Sequence, residues 1–220
     1  MGIVERKEKQ KQEVHKQILD ASMKLFVEQG FANVSIRKIA DLIEYSPTTV
    51  YLYFKDKDEI LFELHKIGFQ KFDAMNDDLV SIRNPLLRLH KMGENYLNFG
   101  MDNPEYYDLM FVQCSPMVTL IGMECSDWKN GDAAMDRLRN TVIDCMEQGF
   151  IAESDPGVLS LSIWSMVHGL VSLAINGRME KFVPGKDYIK PVMMQSLNWI
   201  IKTVKQSGPA TKEFRPSEIR

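Results

Sequence analysis

Apolar residues in this 220-residue chain recur at three- and four-residue steps along most of its length, and nowhere do they alternate strictly. A period near 3.6 gives helices with one apolar stripe, whereas a half-buried strand needs strict alternation. The chain is therefore expected to be all-α. Val14, Ile18, Ala21, Leu25 and Phe26 set one face of a first helix over 12–29, closed at Gly30. Ser35 is placed to cap a second helix carrying Ile36, Ile39, Ala40 and Ile43. Ser46 is placed to cap a third, with Pro47 at its first position, where the missing N–H costs nothing. A fourth helix is expected from Asp56 to about Val80. Further helices follow Asn84-Pro85, Asn103-Pro104 and Asp155-Pro156, and others cover 134–148 and 188–205. Residues 114–134, with Pro116, Gly122 and Gly131 among apolar residues, give no readable pattern.

The segment 35–54 constrains function most. Two short capped helices joined by a tight turn at Glu44-Tyr45 have the geometry that lets the second helix enter a DNA major groove. Val50 and Phe54 are expected to face inward, leaving Thr48, Thr49, Tyr51 and Tyr53 outside, with Arg37, Lys38, Lys55 and Lys57 flanking them. Bulk charge does not support nucleic-acid binding. The chain carries a net charge of −3, and residues 1–66 hold eleven basic and eleven acidic side chains. Any attraction has to come from placement on one face.

These residues carry a resemblance. The run Ile18-Leu19-Asp20-Ala21, Leu25-Phe26, Gly30-Phe31, Ser35-Ile36-Arg37-Lys38-Ile39-Ala40, Ser46 and Thr49-Val50-Tyr51-Leu52-Tyr53-Phe54-Lys55-Asp56-Lys57 resembles the DNA-binding domain of the TetR (tetracycline-repressor) family. The resemblance covers about 12–72. It implies that Arg37, Pro47, Thr48 and Tyr51 meet base edges or nearby backbone, and that Thr49, Tyr53 and Lys57 hold phosphates, with Lys38, Ser46 and Lys55 beside them. Two positions depart from the family pattern. Glu44 stands where glycine is usual in the turn, and Thr48 stands where glycine or alanine is common.

The same resemblance implies an N-terminal three-helix helix-turn-helix domain followed by a larger helical ligand-binding and dimerisation domain. The expected organisation is a flexible arm over 1–11, the DNA-binding domain over 12–72, the second domain over 80–205 and a disordered tail over 206–220. Trp164-Ser-Met-Val-His168-Gly169 and Asn103-Pro104-Glu105-Tyr106-Tyr107 resemble one C-terminal subtype with a Trp-x-x-x-His-Gly signature. Phe99, Tyr106, Tyr107, Met110, Phe111, Trp128, Trp164 and His168 offer apolar walls with polar tips, the usual lining of a small-molecule pocket. Met166, Leu170, Leu173, Met193, Leu197 and Ile200 are the expected dimer contacts.

Residues 157–177 carry no charge, but the serines and His168 within them argue for a helix at a subunit interface rather than a membrane span. Three cysteines (Cys114, Cys125, Cys145) suit neither a disulfide scaffold nor a zinc site. With no signal peptide visible, the chain reads as cytoplasmic. No phosphate loop, nucleophile elbow or Glu-x-x-His pair is present, so an enzyme has no residues to stand on, and no metal or cofactor is expected. The expected partners are double-stranded DNA, a small-molecule effector and a second copy of the chain. The competing reading is a helical ligand-binding or interaction protein that has lost DNA binding, supported by Glu44 and the neutral N-terminal segment. On the leading reading, Arg37→Ala weakens specific binding and Lys57→Ala weakens binding to all sequences alike.

Overall fold

The computed structural model describes residues 2–112 and 129–206. Among these every regular element is a helix, and none is a strand. The chain divides into two compact units, residues 1–72 with 103–130, and residues 73–102 with 131–220. Trp128, Cys114, Cys125 and all of the expected tail except Gln206 lie outside the described residues.

The first unit is built on α1 (Ile3–Gln29), whose apolar face buries Val14, Ile18, Ala21, Leu25 and Phe26. Residues 3–11, expected as a flexible arm, are the first turns of this helix, so α1 begins well before residue 12. α2 (Ile36–Leu42) and α3 (Pro47–Tyr51) follow, capped by Ser35 and Ser46 as expected, and Val50 and Phe54 join the same core. α4 (Lys57–Ala74) ends six residues short of the expected Val80, and a 3₁₀ segment covers Asp77–Ser81. The physical reason is local polarity. Asn76-Asp77-Asp78 breaks the apolar beat, and Asn76 is bound by the side chain of Asn95.

α6 (Pro104–Tyr107) and the π-helical turn Asp108–Val112 also belong to this unit, although they sit within the segment expected as the second domain. Leu109 is in the core with α1 and α4 residues. Gly68 permits the approach: a Cβ there would lie 2.4 Å from the Met110 sulfur and 3.1 Å from the Tyr106 ring.

The second unit holds α5 (Pro85–Asp102), α7 (Lys129–Glu147), α8 (Pro156–Ile175) and α9 (Ile189–Gln206). α5 packs on both α8 and α9. Gly93 sets the α5–α9 separation, since a Cβ there would meet Leu197 Cδ1 at 2.5 Å. Arg88 joins α5 to α7, pairing with Asp144 and donating to Thr141 Oγ1 at 3.3 Å, and it also reaches the Ile82 carbonyl. Arg137 pairs with Asp73 at 2.5 Å. Cys145 is fully buried, and burial pushes its thiol up to about 11, which leaves it unreactive.

His65 on α4 is a buried titratable group of the first unit. Its Nε2 has no hydrogen-bond partner, and its ring lies 5.3 Å from that of Phe69. Burial pushes its pKa down to about 4, partly offset by a hydrogen bond to the Met110 backbone. The folded pKa thus lies below the unfolded value of 6.5, so its neutral form stabilises the fold fully above pH 6.5. That contribution, roughly 3 kcal/mol, is lost as pH falls from 6.5 toward 4. Denaturant melts across this window should show the decline in the parent chain and a flatter profile in His65→Phe. Equal slopes would mean that other groups control acid stability.

Candidate DNA-binding surface

α3 is five residues long, too short to hold itself by internal hydrogen bonds. It is held at both ends instead. Ser46 Oγ accepts from the Thr49 N–H at 3.1 Å and lies 2.9 Å from Thr49 Oγ1. At the other end Val50 is fully buried, and Phe54, 4% exposed, stacks on His15 of α1 at 4.9 Å.

The turn before α3 is equally specified. The Tyr45 N–H donates to the Ala40 carbonyl at 3.0 Å and the Glu44 N–H to the Asp41 carbonyl at 3.3 Å, which together form a Schellman termination of α2. The motif requires a left-handed residue. Glu44 takes it with φ 60°, and it is the non-glycine residue with positive φ among the described residues. α7 and α8 end in the same pattern with Gly149 and Gly177 at the equivalent position.

This scaffold presents Arg37, Thr48 and Tyr51 to solvent, with Tyr51 56% exposed. Pro47 and Thr49 are half-buried. Tyr53 turns partly inward against the core, near His15, so Tyr51 is the outward tyrosine. Lys55 is exposed and lies 3.7 Å from Asp56. Two expected DNA contacts are engaged within the chain. Lys38 Nζ donates to Gln29 Oε1 at 2.8 Å and to the Asn33 carbonyl at 2.9 Å. Lys57 Nζ donates to the carbonyls of Phe31 and Val34 at 3.1 and 3.3 Å, and sits 4.3 Å from the Phe31 ring centre. Lys57 therefore ties the loop after α1 to the start of α4. Sequence reading also missed the exposed Tyr45 and the 78%-exposed Leu52 beside α3. Tyr45 had no signal beyond its place in the turn.

The expected pocket residues divide between the units. Tyr106, Tyr107, Met110 and Phe111 belong to the first, where Tyr107 and Met110 are buried and Tyr107 packs on Phe111 at 5.1 Å. Phe99, Trp164 and His168 belong to the second. There Trp164 Nε1 donates to Tyr96 Oη at 3.0 Å, and Tyr96 Oη lies 3.2 Å from His168 Nδ1. Tyr96 was not anticipated. Burial lowers the His168 pKa, which favours the neutral ring.

Two of the expected dimer contacts, Met193 and Leu197, are buried at 0% exposure inside the second unit and present no outward surface. Ile200, 4% exposed, shows an edge to the groove beside Met166 and Trp199. Met166 and Leu173 are exposed, and Leu170 is half-buried. Leu170 and Met166 line an open groove of about 490 Å³ with Val192, Gln195 and Trp199.

Residues 18–64 match the family described as bacterial regulatory proteins of the tetR family, and residues 89–192 match the tetracyclin repressor-like C-terminal domain. A fatty acid metabolism regulator protein of Bacillus subtilis (strain 168) is 36% identical over 72 residues, 32% of this chain and 37% of that one. An HTH-type transcriptional regulator of Haemophilus influenzae is 30% identical over 95 residues, 43% of this chain and 51% of that one. The matched segments thus span about half or less of these relatives. In fold, the ketosteroid transcriptional regulator KstR2 of Mycobacterium tuberculosis is similar with a TM-score of 0.71 at 18% identity, over 86% of this chain and 94% of that one.

Two expectations follow from the geometry. Replacing Glu44 by glycine should leave stability unchanged or raise it by up to about 1 kcal/mol, because strain relief offsets the added chain entropy; Glu44→Val should lower it. Thermal melts of the pair decide this, and a clear loss in Glu44→Gly would mean that the glutamate side chain contributes. Lys57→Ala should cost about 1–3 kcal/mol of stability by stripping two carbonyls of their donor. Arg37→Ala should leave the melt unchanged yet weaken specific DNA binding by a similar ~1–3 kcal/mol. The reverse pattern would exchange the two roles.

Proposed function

The chain belongs to the TetR family of DNA-binding transcriptional regulators, and we propose that it acts as a homodimeric repressor released from a near-palindromic operator by a small apolar or amphipathic effector. The observation that carries the dimer is the outward face of α8 and α9. Val158, Leu161, Met166 and Leu173 on α8 are exposed, as is Trp199 on α9 at 63%. α8 has a mean hydropathy of 1.8 and is only 28% buried over its most apolar window, a combination of length and composition that would also suit a membrane span. Its outward serines, Ser162 and Ser165, bond back to the carbonyls of Val158 and Leu161, which leaves a nearly dry surface fit for a second copy.

Two such subunits would place their α3 helices in successive major grooves, about 34–36 Å apart. An effector would then act by its different affinity for dimers that match this spacing and dimers that do not. The chain crosses between the units inside α4, between α5 and α6, and inside α7, so these are the covalent routes for that influence. Named relatives support the effector class. One regulates fatty acid metabolism and a fold neighbour is a ketosteroid regulator, and both names point to apolar skeletons carrying few oxygens. The neutral Trp164–Tyr96–His168 cluster supplies polar groups suited to such oxygens. The relatives being regulators also supports a non-enzymatic protein working in the cytoplasm.

The test is affinity selection of genomic fragments by the purified protein at moderate salt, followed by sequencing. A near-palindrome with half-sites one helical turn apart is expected, and its enrichment should fall when cell extract supplies the effector. Recovery of no preferred sequence, with or without extract, would overturn the repressor reading. In parallel, Trp199→Glu should shift sedimentation from dimer to monomer, and an unchanged dimer would place the interface elsewhere.

A further inference from the structure

The first turns of α1 have no role in the fold. Every residue from Val4 to Glu13 is exposed, and burial along the helix begins only at Val14. Helical stability in proteins comes mostly from packing, so three ordered turns without a packed face imply a surface used outside the chain. The composition of these turns states the chemistry. Residues 2–13 carry Arg6, Lys7, Lys9 and Lys11 against Glu5, Glu8 and Glu13, a net charge of +1 in a chain whose total is −3. Glu5 is engaged, because its carboxylate accepts from the Gly2 N–H at 2.7 Å.

Position states the partner. Arg6, Lys9, Gln10, Glu13 and Val14 line an open groove of about 300 Å³ whose far wall is Tyr45. Tyr45 is 38% exposed and immediately precedes Ser46 and Pro47, where α3 begins. The groove therefore adjoins the end of the recognition helix whose N-terminal residues meet base edges in this motif. A duplex seated on α3 carries its phosphate backbone along both sides of the major groove, one negative charge per roughly 1.7 Å of axis. Spacing along α1 separates the basic residues into two sets. Arg6 and Lys9, three residues apart, share the groove face, whereas Lys7 and Lys11, four apart, share another.

We infer that Arg6 and Lys9 on the N-terminal turns of α1 bind operator phosphates beside the α3 half-site, extending the DNA interface beyond the helix-turn-helix. The inference rests on the DNA-binding reading and adds a second contact strip to each subunit. Lys7 and Lys11 take no part in it, although they carry the same charge.

The experiment compares the full-length protein with R6Q/K9Q and K7Q/K11Q. All three are measured across a salt series on the selected operator duplex with long flanks, and on a random-sequence duplex of equal length. All four substituted positions are exposed, so circular dichroism and melting should match the parent. Each lost phosphate contact should flatten the log–log salt slope by about 0.9, or roughly 3.6 for two contacts from each of two subunits. R6Q/K9Q should show that loss on both duplexes with sequence preference retained, and K7Q/K11Q should stay near the parent. A parent-like slope in R6Q/K9Q would overturn the inference while leaving the recognition helix in place. Equal flattening in both variants would also overturn it, since general attraction rather than a seated contact would then be at work. A parent protein that binds neither duplex with a salt slope would bring down the DNA-binding reading itself, and this contact with it.

Discussion

The hydrogen bond from the Tyr45 N–H to the Ala40 carbonyl is the constraint on which the DNA-binding half depends. It closes α2, forces Glu44 into a left-handed conformation and thereby sets the direction in which α3 leaves. Once that direction is set, the Ser46 cap starts the new helix, and Val50 and Phe54 fall onto the core behind it. Nothing in the five residues of α3 would hold them helical alone. The recognition helix borrows its order from a turn on one side and two buried side chains on the other, and its outward face is left free for function.

Much of this was legible because its causes are local. Ser35, Ser46 and Asp155 cap helices through bonds to residues three positions on, and Pro47 and Pro156 mark first turns, so a few adjacent letters suffice. Where packing decides, the letters are ambiguous. On α9 the row Met193, Leu197 and Val204 is buried, while the row Val192, Trp199 and Ile200 lines the groove on its outer side. Both rows are apolar, so composition alone could not choose between them. The early start of α1 was hidden for the opposite reason. Its first turns are polar all round and show no apolar period to read.

Polar groups in the second unit illustrate a constraint that only three dimensions reveal. Trp164 can only donate, so the Tyr96 hydroxyl accepts from it. The same oxygen lies 3.2 Å from His168 Nδ1, so one hydroxyl serves both rings. Trp164 and His168 are one helical turn apart on α8, and Tyr96 on α5 joins them, so the cluster also keys the register of the two helices. The tryptophan and histidine could be singled out in the sequence, but the tyrosine sits some seventy residues away and had no local mark.

Lys38 and Lys57 show why counting charge is a poor guide to this surface. Both lie in the family-like run, and both direct their ammonium groups at backbone carbonyls of the α1–α2 connection. They neutralise the partial charge of those carbonyls and stiffen the segment that supports α2, at the expense of attraction toward a phosphate. Arg37 and Lys55 are then the flanking cations whose side chains hold no backbone carbonyl among the described residues, in a chain with net charge −3. A protein so composed gains little from undirected attraction, because its overall field opposes a polyanion. Its affinity has to come from the few cations that are placed where phosphates run.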